Sequence, residues 1–75
     1  MDNITPLLYS YARTAAKWEA TGDPSYKKTL GMFRMRLRNQ GVRVQSMLDD
    51  GDFFVLELDI RGTSTTERLR KPADL

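Results

Sequence analysis

The densest group of side chains that could do chemistry is the set of carboxylates at Asp49, Asp50 and Asp52. Because the chain has no histidine and no cysteine, acid–base chemistry at neutral pH would have to come from carboxylates, lysine or tyrosine. The carboxylates flank Gly51 in a stretch typical of a solvated turn. The segment from Leu48 onward also lacks the alternating ligands of a calcium loop. We therefore expect a protein that is not an enzyme and carries no cofactor and no metal.

Basic side chains follow one side of the second expected helix. At about 100° per residue, Lys27, Arg34 and Arg38 form a ridge beside its apolar stripe. Such ridges can bind the phosphate groups of nucleic acids. Residues 24–60, a helix followed by two strands, resemble the end of a winged-helix domain, in which a recognition helix runs into a hairpin wing. That resemblance implies a DNA- or RNA-binding regulator, for which the candidate residues are Arg13, Lys17, Lys27, Arg34, Arg36 and Arg38.

A second set of side chains favours a protein partner. Met32 and Met35 lie opposite the apolar stripe of the second helix on an ideal helical wheel, and methionine is common at adaptable binding surfaces. The acidic turn would repel phosphate groups, whereas a partly acidic and partly apolar protein surface suits arginine beside apolar side chains. The expected partner-binding residues lie on this helix and on the outer face of a hairpin: Lys28, Met32, Met35, Arg36, Met47, Phe53 and Val55.

Proline and glycine divide the first half of the chain into two helices. The first is expected to begin with Thr5 as N-cap and to end at Gly22, which suits the left-handed position after a helix. The second is expected to begin with Asp23 as N-cap and Pro24 at the first helical position, and to end at Gly41. Their apolar faces are Ile4, Leu7, Leu8, Tyr11, Ala15 and Trp18 in the first, and Tyr26, Leu30, Phe33 and Leu37 in the second. So short a connection predicts an αα-hairpin.

Residues 42–60 alternate apolar and polar side chains around the acidic turn, which predicts a β-hairpin. Placing the apolar residues of both strands on one face favours a three-residue loop at residues 49–51, with Gly51 in the left-handed position. The pairs in this register are Ser46 with Phe54, Val44 with Leu56, and Val42 with Leu58. The register also sets Arg43 opposite Glu57 on the outer face. Because a slip of one residue would turn every side chain over, the pattern selects this register.

The chain is long enough for one domain with a thin core, since it has 75 residues. Residues 1–62 are expected to form a single α+β domain, an N-terminal αα-hairpin packed on a C-terminal β-hairpin. Residues 63–75 form a tail that is a short helix over residues 65–71, a third strand from about Thr63, or a mobile end. Through Leu69 the tail could instead cover the outer face of the hairpin. The N-terminus lacks the pattern of a signal peptide, so a cytoplasmic location is expected.

The sequence therefore predicts a small protein-binding modulator, an accessory or inhibitor protein that forms a homodimer and recognises a partner with a partly acidic surface. A thin core without disulfides or metal favours self-association. Binding of DNA or RNA is the alternative, and no membrane partner is expected, because the apolar runs are too short to span a bilayer. In size and in its lack of catalytic residues the chain is similar to small accessory proteins of phages and mobile elements. That similarity is one of build.

Overall fold

The computed structural model describes residues 4–71 and contains two helices followed by three strands. Helices α1 and α2 span Thr5–Thr21 and Pro24–Asn39, and strands β1, β2 and β3 span Val42–Asp50, Phe53–Ile60 and Thr63–Arg70. The strands form an antiparallel sheet in the order β1-β2-β3. The α+β class, with N-terminal helices and C-terminal strands, is therefore confirmed. Within residues 4–71, neither helix has the length and apolar character that a bilayer-crossing helix needs.

The ends of the helices follow the local chemistry of the chain. Gly22 adopts a φ of 69° and donates its backbone N–H to the carbonyl oxygen of Trp18 at 2.7 Å, which ends α1 as expected. The side chain of Asp23 accepts the backbone N–H of Ser25 at 3.0 Å and caps α2. The predicted N-cap of α1 is wrong by one residue, since Thr5 lies inside the helix. Pro6 still fits in the first turn of α1, because the first N–H groups of a helix have no hydrogen-bond partner within it.

Residues 63–70 of the tail form the third strand of the sheet. β3 pairs with β2 along its whole length, from Thr63 opposite Ile60 to Arg70 opposite Phe53. The helix suggested for residues 65–71 is therefore wrong, and the third-strand alternative is confirmed. The turn between β2 and β3 contains Arg61 and Gly62, whose φ angles are 52° and 87°. Two positive φ angles are typical of a type I′ turn, which matches the twist of a hairpin. Leu69 is buried opposite Phe54, so it does not cover the outer face.

The loop between β1 and β2 contains two residues, Gly51 and Asp52, and Asp50 lies opposite Phe53. Gly51 has a φ of 66° and Asp52 does not have a positive φ. This is the pattern of a type II′ turn, which takes glycine at its first central position. The predicted three-residue loop at residues 49–51, together with the strand pairs derived from it, is wrong.

A β-bulge at Gln45 is the reason for the difference. The two strands pair Val44 with Leu58 before the bulge and Ser46 with Glu57 after it, so β1 accommodates one extra residue. An extra residue moves all later side chains of the strand to the opposite face. The alternation of residue types predicts a β1 strand without a bulge, and such a strand would require the three-residue loop.

The bulge decides which side chains of β1 face the helices. Met47 packs against the core, whereas Leu48, the next residue, is 63% exposed on the outer face. The predicted outward position of Met47 is therefore wrong. Arg43 lies opposite Asp59 on the outer face, so the expected pair with Glu57 is wrong as well. A basic residue still lies opposite an acidic one, but Arg43 and Asp59 do not form an ion pair.

The core lies between the helices and one face of the sheet. Its buried side chains come from both helices and all three strands: Leu8, Tyr11, Ala12, Leu30, Leu37, Val42, Phe54, Leu56, Leu58 and Leu69. The hydroxyl of Tyr9 on α1 donates to the backbone carbonyl oxygen of Arg70, which ties the first helix to the last strand. Since both helices pack on the same side, no element within residues 4–71 covers the other face of the sheet.

Candidate functional site

The uncovered face of the sheet carries a compact apolar cluster near the β1–β2 turn. Leu48 on β1 lies opposite Val55 on β2, and Val55 lies opposite Arg68 on β3. Leu48 is 63% exposed, while Phe53 and Val55 are half-buried by their neighbours. We call Leu48, Phe53, Val55 and Arg68 the sheet patch. It joins three strands, so the side chains are held by the rigid sheet and not by a loop.

Arginine side chains border the patch along β3. The guanidinium carbon of Arg68 lies 4.5 Å from the centroid of the Phe53 ring, a cation–π distance. Arg70 lies directly opposite Phe53 in the same row, and Asp50 occupies the other end of that row on β1. The apolar cluster therefore has a basic border on one side and an acidic residue on the other.

The residues predicted to bind a protein partner do not form one surface. Phe53 and Val55 lie on the sheet patch, but Met47 faces the core. Met32 and Met35 are 53% and 66% exposed on α2, on the side of the helix away from its buried leucines. Lys28 and Arg36 are exposed on the same helix. The helix group and the sheet group thus point away from the core on different layers.

Leu48 and Arg68 were missed from the sequence. Leu48 was assigned to the inner face because the bulge at Gln45 leaves no trace in the alternation of residue types. The sequence allows a helix, a strand or a mobile end for the tail that contains Arg68, so it does not predict that Arg68 lies beside Phe53. The one usable signal was the row of β-branched residues at 63, 65 and 66, which is typical of a strand.

The residues proposed for nucleic acid also divide between two places. Arg13 and Lys17 border a groove between α1 and α2, together with Phe33. Arg34 and Arg38 border a different groove, between α2 and β1. The remaining two lie on α2 outside both grooves, and the ammonium of Lys27 stands 6.0 Å from the centroid of the Trp18 ring. No single surface collects all six basic residues.

The groove at the edge of β1 joins Arg34 and Arg38 of α2 to two arginines, Arg43 and Arg61, that the sequence did not place beside them. A cavity of about 370 Å³ is lined by Arg34, Arg38 and Arg43. It adjoins a second cavity of about 280 Å³, which is lined by Arg38, Arg43 and Arg61. We call Arg34, Arg38, Arg43 and Arg61 the arginine groove. Asp59 lines both cavities and is the acidic residue among their walls.

The acidic turn serves the local structure. Asp49 accepts the backbone N–H of Gly51 at 3.2 Å and forms an ion pair with Lys71. Among residues 4–71, no three carboxylates lie close enough together to hold a metal ion. The pKa of Asp23, which directly precedes α2, is lowered because its carboxylate accepts the backbone N–H of Ser25. Its carboxylate is the cap of α2, outside both the patch and the groove.

No family model matches the chain, and no curated protein or solved structure was found to match it. Function is therefore inferred from the chemistry of the two surfaces. The sheet patch offers a rigid apolar cluster with charges of opposite sign at its two sides. The arginine groove offers two adjoining cavities lined by four arginines.

Proposed function

We propose that the protein is a small binding module that docks another protein against the sheet patch. The observation that carries this proposal is the exposure of Leu48 beside Phe53 and Val55 on a sheet face that no described element covers. Contiguous apolar groups on a surface favour burial against a partner. An aromatic ring stacked under an arginine is also the kind of anchor on which binding energy concentrates.

The charges around the patch define the partner. Arg68 and Arg70 on the β3 side call for acidic groups in the partner, and Asp50 on the β1 side calls for a basic group. Between these charged groups, an apolar centre on the partner would pack against Leu48, Phe53 and Val55. A partner with this arrangement would be held in one orientation, because a reversed orientation would bring like charges together.

A second copy of the chain provides the acidic group opposite Arg70. A two-fold axis parallel to β2 would lay β1 of each copy over β3 of the other, with Phe53 and Val55 of the two copies stacked at the centre and Leu48 over Arg68. Asp50 of one copy would then meet Arg70 of its partner, twice by symmetry. This fit supports the homodimer expected from the thin core, and it leaves both helices free on the outside.

Two matched variants test the docking surface. Leu48→Glu places a charge in the patch, and Met35→Glu places the same charge on α2, at residues that are 63% and 66% exposed. Both variants should fold, which circular dichroism checks. We expect Leu48→Glu to abolish dimerisation, measured by light scattering, and chemical cross-linking of the chain to a partner protein. Met35→Glu should leave both unchanged. Loss of binding in Met35→Glu alone, or a wild-type chain that neither dimerises nor captures protein, would contradict the proposal.

A charge exchange tests the orientation of the dimer. Asp50→Arg and Arg70→Asp should each weaken dimerisation, because each brings like charges together across the two-fold axis. Combining them restores the opposite pairs and should recover the dimer. Sedimentation equilibrium measures all three variants. A double variant weaker than both single variants would rule out this arrangement of the two copies.

A further inference from the structure

We propose that the arginine groove binds a phosphate group, independently of the sheet patch. Its four arginines come from three separate elements: Arg34 and Arg38 from α2, Arg43 from β1, and Arg61 from the turn between β2 and β3. They line two cavities that share Arg38, Arg43 and Asp59, so the cavities form one continuous groove. All four are exposed, so water screens their mutual repulsion, and their shared positive charge attracts an anion.

Among residues 4–71, none of these four arginines forms an ion pair. Within residues 4–71 the one ion pair joins Lys71 to Asp49, at the far end of the sheet. Asp59 is the single carboxylate of the groove, and its Oδ1 accepts the backbone N–H of Gly62 at 2.7 Å. Four arginines thus line the groove with one carboxylate, which already accepts a hydrogen bond within a turn. Stabilisation of the helix C-terminus can explain Arg38, but not Arg43 or Arg61, which lie outside the helix.

Two of the arginines are held in place by their surroundings. The Nη2 atom of Arg34 donates to the hydroxyl oxygen of buried Tyr11 at 3.3 Å. Arg61 has a φ of 52°, a left-handed conformation that favours asparagine or glycine and not arginine. Its side chain lies along Gly41, where an added Cβ would come within 3.2 Å of the Cγ atom of Arg61. The turn alone gives no reason for arginine at this position.

Phosphate is the anion that fits best. Guanidinium groups bind phosphate oxygens through paired hydrogen bonds, and several of them can share one phosphate or two neighbouring ones. The acidic turn does not oppose this: Arg43 and Asp49 are about 20 Å apart along β1, well beyond the screening length of about 8 Å at physiological ionic strength. Half-buried Val44 adds an apolar wall. A nucleoside phosphate, free or within a nucleic acid chain, provides a phosphate group for the arginines and a base to pack against this apolar wall.

Two variants of α2 provide a matched test. Arg38→Gln removes a guanidinium group from the groove, whereas Arg36→Gln makes the same change two residues away, on a side of the helix outside the groove. Both residues lie in the last turn of α2, so both changes affect the helix dipole alike. The probes are ATP, inorganic phosphate, a fluorescein-labelled single-stranded oligonucleotide, and poly-glutamate as a polyanion without phosphate.

Arg61→Asn gives a third variant that separates binding from folding. Asparagine before glycine is the preferred sequence of a type I′ turn, so this variant should be at least as stable as the wild type. We expect Arg38→Gln and Arg61→Asn each to weaken binding of the phosphate probes roughly tenfold, the effect of losing one charge-assisted hydrogen bond. Arg36→Gln should bind like the wild type. Amide chemical shifts of Gly41, Arg43 and Gly62 should change on titration.

The probes also distinguish the sources of the phosphate. An oligonucleotide that binds much more tightly than ATP would assign the groove to nucleic acid, and equal affinities would assign it to a free nucleotide; both results support the site. Absence of shifts with every phosphate probe at low salt would overturn it. So would poly-glutamate binding as tightly as the phosphate probes, or an equal loss in Arg36→Gln and Arg38→Gln. Leu48→Glu should not change phosphate binding, so this test is separate from that of the sheet patch.

Discussion

The backbone N–H of Arg61 donates a hydrogen bond of 3.1 Å to the carbonyl oxygen of Gly41. This bond joins the turn between β2 and β3 to the segment that connects α2 to β1. Gly41 has a φ of 79°, and the side chain of Arg61 occupies the space beside its Cα atom. Both residues therefore depend on each other's backbone conformation, and the arginine groove is assembled around this contact.

Gly41→Ala should destabilise the protein. An alanine at this φ is strained by roughly 1–2 kcal/mol, and its Cβ would stand 3.2 Å from the side chain of Arg61. Gly31→Ala is the control, since Gly31 lies in α2 with no atom within 4 Å of an added Cβ. In a helix interior that change should stabilise by about 0.5–1 kcal/mol. Urea unfolding measures both, and shifts of the same sign would contradict the expected environments.

Met47→Ala should cost more stability than Leu48→Ala. Met47 packs against the core, so truncation removes roughly 1 kcal/mol of apolar burial. Leu48 is 63% exposed, and its truncation should change the unfolding free energy by less than about 0.5 kcal/mol. Chemical denaturation of the two variants compares them directly. The predicted hairpin register places Leu48 inside and Met47 outside, so the reverse order of stabilities would restore that register.

Deletion of Gln45 should leave the protein folded. Gln45 is the extra residue of the bulge, so its removal keeps Val44 opposite Leu58 and Met47 opposite Leu56 in one regular ladder. Deletion of Arg43 is the control. It removes a paired residue, moves Val42 out of register, and should lower the unfolding temperature sharply. Cross-strand nuclear Overhauser effects follow the pairs, and equal destabilisation by both deletions would mean that the bulge is required for folding.

Asp23 should make stability depend on pH in the acid range. Its folded pKa is lowered because the carboxylate accepts the backbone N–H of Ser25, while the unfolded value is about 3.9. The contribution is present above that unfolded value and is lost as the pH falls through the lowered folded value. Asp23→Asn keeps a capping side chain that does not titrate. The difference in unfolding free energy between wild type and Asp23→Asn should shrink on acidification, and a constant difference would exclude this role.

The sequence by itself determined the two helices, the junction between them and the α+β class. Glycine at a left-handed position and an aspartate followed by proline act on the nearest few residues, so Gly22 and Asp23 could be interpreted without knowing the rest of the fold. The same holds for the exposure of Met32 and Met35, which follows from the period of the helix. The absence of histidine and cysteine also came from the sequence.

The tertiary structure decided the register of the sheet and both candidate sites. The bulge at Gln45 depends on which residues of β2 and the helices β1 meets, and residue types along one strand do not record that choice. Phe53 contacts Arg68, and Arg38 and Arg61 line one cavity, across separations in sequence that only folding closes. The burial of apolar surface over the whole domain selects these pairings, because it sums contacts that no local pattern contains.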